Sequence, residues 1–134
     1  MYLGLLKQEE KKLFLELVYE LASADGNYSD TEKAIIETYC AEMQIEFYES
    51  SIRNPINEVL EKIAEISDEK TKKIIIFEAI GFAMIDGVYA EAEKIMILNM
   101  GKLFGVENNF IKQCETLLNE YIQLQEKVNH LILG

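Results

Sequence analysis

Residues 22–33 read A-S-A-D-G-N-Y-S-D-T-E-K, and residues 83–94 read A-M-I-D-G-V-Y-A-E-A-E-K. A constant shift of 61 positions pairs Asp25 with Asp86, Gly26 with Gly87 and Tyr28 with Tyr89, then Asp30 with Glu91, Glu32 with Glu93 and Lys33 with Lys94. The register extends outward. Leu13, Phe14 and Leu21 meet Ile74, Ile75 and Phe82 upstream, and Ile36, Met43 and Ile45 meet Ile97, Phe104 and Val106 downstream. Each unit reads as helix, D-G turn, helix. Two such hairpins share one core most simply around an approximate two-fold axis. The expected fold is therefore a single all-α domain over residues 1–134: a helical bundle of two related hairpins plus additional helices.

The spacing supports helix nearly throughout. The 134 residues contain one proline, and apolar residues recur at intervals of three and four. A first helix is expected over about 5–24, ended by Asp25-Gly26, because glycine tolerates the left-handed conformation that closes helices. Ser29-Asp30-Thr31-Glu32 has the capping-box pattern and starts a second helix reaching about 43. Its expected buried stripe is Ile35, Ile36, Tyr39, Cys40 and Met43. A short helix over Glu46–Ser51 follows. Asn54-Pro55 reads as the N-cap and first residue of a third main helix, which carries Ile56, Val59, Leu60, Ile63 and Ile66. A fourth main helix from about Ser67-Asp68 to 85 carries Ile74-Ile75-Ile76-Phe77, a run expected of a helix surrounded by others. A fifth spans about 90–104 and stops at Gly105. The last, about 107–132, has Phe110, Ile111, Cys114, Leu118, Tyr121, Val128 and Ile132 along one side. That side is expected to pack on the bundle, with a homodimer seam as the alternative.

Charge and counting remove several function classes. Thirteen Lys plus Arg stand against 24 Asp plus Glu, a net charge of −11, and Arg53 is the sole arginine. Nucleic acid is disfavoured, since phosphate binding needs clustered cations and favours guanidinium. Docking on an anionic membrane is disfavoured for the same reason, and no apolar run is long enough to insert. The apolar start, Met1 to Leu6, is too short for a signal peptide. One histidine, His130, cannot supply a multi-histidine zinc site or a Ser-His-Asp relay. Cys40 and Cys114 lie far apart, with no metal-knuckle spacing, and read as reduced thiols of a cytoplasmic protein. No phosphate-loop or nucleophile-elbow motif occurs, so the chain is not expected to be an enzyme.

The pattern A-x-A-D-G-x-x-x-x-x-E at Ala22 to Glu32, followed by its second copy at Asp86 to Glu93, resembles the tellurite-resistance TerB-like family. The likeness covers roughly residues 10–120, with Met84-Ile85 departing from the small-residue approach to the second turn. The resemblance implies an all-α fold, no established catalytic activity, association with bacterial stress responses, and a metal-binding role for the acidic residues.

The residues themselves allow two readings. Asp25, Asp30 and Glu32, with Asp86, Glu91 and Glu93, offer carboxylate oxygens at and after tight turns. Such donors suit a divalent cation such as calcium, magnesium or manganese. They do not form an EF-hand. With Gly26 at loop position 6, Glu32 falls on position 12, yet positions 1 and 3 become Leu21 and Ser23, and Phe82 and Met84 in the second copy. A site built from both turns is the workable form. In the second reading Asp-Gly is turn chemistry, and acids in a first helical turn simply favour the helix dipole. Ser29 completes a capping box with Glu32, whereas Ala90, in the matching position, has no hydroxyl to offer Glu93. Separately, residues 25–50 hold seven acids and one lysine, −6 of the −11. Glu37, Glu42, Glu46 and Glu49 are thus the expected face for a protein partner with a basic surface. The leading expectation is a non-enzymatic, stress-associated module binding a divalent cation. The alternative is a helical adaptor using the acidic face without metal.

Overall fold

A computed structural model describes residues 1–24, 29–46, 54–85 and 89–134. Among these the chain is all-helical, with no strand. A 3-10 turn at Leu3–Leu5 precedes α1 (Gln8–Ala22), α2 (Asp30–Met43), α3 (Ile56–Ile66), α4 (Glu69–Met84), α5 (Glu91–Phe104) and α6 (Asn108–Leu133).

α4 is the central helix. It packs against α1, α5, α6 and the Leu3–Leu5 turn, and its buried residues include Ile75, Ile76, Ala79, Ile80, Phe82 and Ala83. α1 contributes Phe14, Leu17, Val18 and Leu21, and packs on α2, α3 and α4. α3 bridges α1 and α5, burying Val59, Leu60 and Ile63. Gly101 lets α5 approach α6 closely, since a Cβ there would stand 2.7 Å from Ile111 Cδ1.

Several boundaries differ from the sequence reading for local reasons. α1 starts at Gln8 because Lys7 is extended, and the preceding Leu3–Leu5 forms its own turn with Leu3 buried. α3 starts one residue late. Pro55, with ψ 152°, is its N-cap, and its carbonyl accepts from Glu58 N at 3.0 Å and Val59 N at 3.2 Å. In α2 only Ile36 and Met43 of the expected stripe are fully buried, while Ile35, Tyr39 and Cys40 are half-buried at its edge. The second half of α6 does not pack on the bundle: Tyr121, Val128 and Ile132 are exposed. The expected short helix at Glu46–Ser51 falls, beyond Glu46, outside the described residues.

Candidate functional site

Three helices begin in the same way. At α1, Lys7 N donates to Glu10 Oε1 at 2.8 Å; at α2, Ser29 N donates to Glu32 Oε1 at 3.0 Å; at α5, Ala90 N donates to Glu93 Oε1 at 3.0 Å. In each case the glutamate is the third helical residue and is buried. Each carboxylate satisfies a backbone N–H at the helix entrance, placed where the helix dipole also favours negative charge. Ser29 adds its hydroxyl, which donates to Glu32 Oε1 at 3.0 Å while its Oγ accepts from Glu32 N at 3.1 Å. Ala90 lacks that group, so at α5 only the backbone half of the exchange exists. Glu10 gains a long-range bond instead, accepting from Ser67 Oγ at 2.7 Å.

Both motif glutamates, Glu32 and Glu93, therefore have one carboxylate oxygen committed to the helix start. Asp30 and Glu91 are the first residues of α2 and α5, and both are exposed. Asp25 and Asp86 lie outside the described residues. Among the described residues, no three His, Cys, Asp or Glu side chains converge in a way that could hold a metal ion. Beside the second motif, half-buried Tyr89 carries the Lys94 ammonium 5.2 Å from its ring centroid. Burial, then the neighbouring Glu115 and Glu93 carboxylates, raises the Tyr89 phenol above its ordinary value.

The expected partner face is divided. Glu37 and Glu46 are exposed, and Glu49 lies outside the described residues. Glu42 is engaged within its own chain. It accepts from Leu3 N at 3.1 Å and sits 3.4 Å from the Met1 α-ammonium. Glu78 of α4 completes this clamp, accepting from Tyr2 N at 2.8 Å with its Oε1 3.1 Å from the same ammonium. Burial opposes the ammonium's charge, but the hydrogen bond and charge of Glu78, with Glu42, outweigh it and hold its pKa above the ordinary 8.0. Tyr39 lies beside the pair, and burial followed by the Glu78 and Glu42 charges raises its phenol. Sequence reasoning missed Glu78. Its one signal is an acid within the apolar stretch of α4, at the position 61 residues after buried Leu17.

A concavity lies elsewhere. An apolar groove of about 810 Å³ runs between α4, α6 and the N-terminal turn, lined by Leu5, Ile74, Phe77, Phe110, Cys114 and Leu117. Lys73 stands at its rim, 5.5 Å from the Phe110 ring centroid and 3.5 Å from Glu69. Burial, then the Glu115 charge, pushes the Cys114 thiol up to about 11.

Comparison with protein-family models, with curated proteins and with solved structures returns no match.

Proposed function

We propose that the chain is a non-enzymatic TerB-like module of two related hairpins, in which the paired acidic turns take up a divalent cation. The observation carrying this reading is the matching entrance to α2 and α5. Each turn is followed by an exposed acid at the first helical position, Asp30 or Glu91, and a buried glutamate at the third, Glu32 or Glu93. The two helices are of equal length, 14 residues, and their first residues stand 61 positions apart. Asp25 and Asp86 complete the oxygen set, with backbone carbonyls and water filling a hard cation's remaining positions. The likeness to the TerB-like pattern extends the proposal to a cytoplasmic, stress-associated role.

Calorimetric titration with calcium, magnesium and manganese tests it. Saturable binding by the wild type and its loss in Asp25→Asn/Asp86→Asn is the expected result. No binding by the wild type, or equal binding by the variant, refutes the proposal.

The exposure of Glu37 on α2 and of Glu46 just beyond its end favours a second reading, an adaptor whose acidic face meets a basic protein surface. Charge reversal at Glu37, rather than at Glu42, which holds Leu3 N and the Met1 ammonium, is the appropriate probe. Loss of a pulled-down partner with helicity unchanged is expected, and unaltered recovery counts against the adaptor.

A further inference from the structure

The apolar residues of α6 fall on two faces. Ile111, Cys114 and Leu118 are buried against the bundle, whereas Leu117, Tyr121, Leu124, Val128 and Leu131 are 60%, 43%, 59%, 48% and 81% exposed. These five step by four, three, four and three, the heptad spacing of a two-helix seam, while Ile132 and Leu133, also exposed, follow at the tip of the helix. Every residue from Gln123 to Gly134 is exposed, so the seam continues where the bundle no longer accompanies it. Towards the start of α6 the same side becomes a wall of the apolar groove, where Phe110, Cys114 and Leu117 face Ile74 and Phe77 of α4 and Leu5. Groove and overhanging stripe are two halves of one surface.

We propose that this surface pairs with a second copy of the chain. The two α6 helices run antiparallel about a two-fold axis between Tyr121 and Leu124, and the C-terminal half of each lies in the groove of the other. This proposal is independent of the cation reading.

The register follows from the stripe. Placing Tyr121 against the partner's Leu124 sets Leu117 against the partner's Val128 and Cys114 against the partner's Leu131. The two-fold repeats each layer, giving a seam from 114 to 131 about 26 Å long at 1.5 Å per residue. The far half of the helix is the piece that fits the groove, because residues 123–134 bring no bundle of their own.

Charge favours the antiparallel sense. Glu120 and Lys127 occupy the flanking position just before Tyr121 and Val128, and both are exposed. In the antiparallel pair Glu120 meets the partner's Lys127, and the two-fold supplies the pair twice. A parallel pair would set Glu120 against the partner's Gln125 and Lys127 against the partner's Ile132. It would also leave the groove empty and bring the two bundles together on one side. Flanking charges of this kind set partner and orientation in paired helices.

Sedimentation velocity on the full chain over a concentration series tests the pairing. A concentration-dependent dimer is expected. Val128→Glu places two carboxylates in the seam and weakens dimerisation by at least ~100-fold, leaving helicity unchanged because the site is exposed in the monomer. Glu120→Lys or Lys127→Glu alone brings like charges together and raises the dimer Kd by roughly fivefold, while the double exchange restores it. A spin label at His130→Cys, in a Cys40→Ser/Cys114→Ala background, reads the orientation. The antiparallel register separates the two labelled positions by about 22 Å along the axis, whereas a parallel pair leaves them side by side. A monomer at every concentration, a dimer indifferent to Val128→Glu, charge exchange without restoration, or a short label distance each overturns the proposal.

Discussion

Glu10, Glu32 and Glu93 show how one residue type at one helical position closes three helix entrances, and how unequal those closures are. Glu10 joins two elements, because its second oxygen accepts from Ser67 beyond the end of α3. Glu10→Ala leaves the Lys7 N–H and the buried Ser67 hydroxyl without their acceptor. A loss of about 2–3 kcal/mol is expected in urea unfolding, the scale for hydrogen bonds to a charged group. Glu93→Ala removes the cap bond to Ala90 N, which by itself accounts for a loss of about 1 kcal/mol, whereas Glu93→Gln keeps a carbonyl acceptor for that bond and most of its contribution. The contrast also separates capping from ligation, since the amide preserves the helix start but not the anionic donor that a hard cation favours. Cys114 makes a second residue-scale prediction. Its thiol moves from 9.0 to about 11 in the folded chain, so at pH 8 its thiolate fraction is about a hundredfold lower than in the unfolded chain. Alkylation followed by peptide mass spectrometry should be slower by at least that factor in the native protein. As pH rises from 9 towards 11 the unfolded thiol ionises first, so this group's contribution to stability is full below 9 and is lost as pH climbs.

At the scale of the element, the second and fifth helices end as alike as they begin. α2 closes at Gln44 with φ 57°, and α5 at Gly105 with φ 70°. After each, an apolar residue turns back: Ile45 N donates to Cys40 O at 3.0 Å, and Val106 N to Gly101 O at 2.8 Å. Both follow the Schellman pattern, but only one carries glycine at the left-handed position. Gln44→Gly is therefore expected to raise stability by about 1 kcal/mol, and Gly105→Ala to lower it by a similar amount, read as midpoint shifts in denaturant. These ends were legible in the chain to different degrees. Gly105 is a recognisable stop, whereas a glutamine at the left-handed cap gives no local sign. The helices themselves were legible because three-four spacing survives any tertiary arrangement. What faces each stripe was not, since periodicity names an apolar side without naming its cover. Leu118 and Tyr121 belong to the one apolar side that the spacing predicts for α6, yet the first is buried and the second opens to solvent. The Glu42 and Glu78 clamp was equally hidden. Its acids sit 36 positions apart, on different helices, in no motif.

For the molecule as a whole, the net charge of −11 resolves into distinct tasks. Glu10, Glu32 and Glu93 hold helix entrances, Glu42 and Glu78 hold the first residues against the bundle, and Glu37 on α2 and Glu46 just beyond it are exposed. The charge that sequence alone assigns to one acidic arm is thus partly structural, and the expected partner face is narrower than the arm. Four core pairs share the 61-residue spacing of the motifs. Phe14 and Ile75, Leu21 and Phe82, Ile36 and Ile97, and Met43 and Phe104 are all buried, each pair 61 positions apart. One substitution breaks that correspondence in an informative place. Glu78 stands where the first unit has Leu17, and there the second unit takes on the clamp. The central claim, that both turns serve one cation, is tested most directly by manganese titration followed in the amide resonances of the isotope-labelled chain. Selective broadening of Ser29, Asp30, Ala90 and Glu91 at substoichiometric manganese, abolished in Asp25→Asn/Asp86→Asn, is the result this account expects. Broadening spread evenly over the acidic surface, or none at either turn, would contradict it.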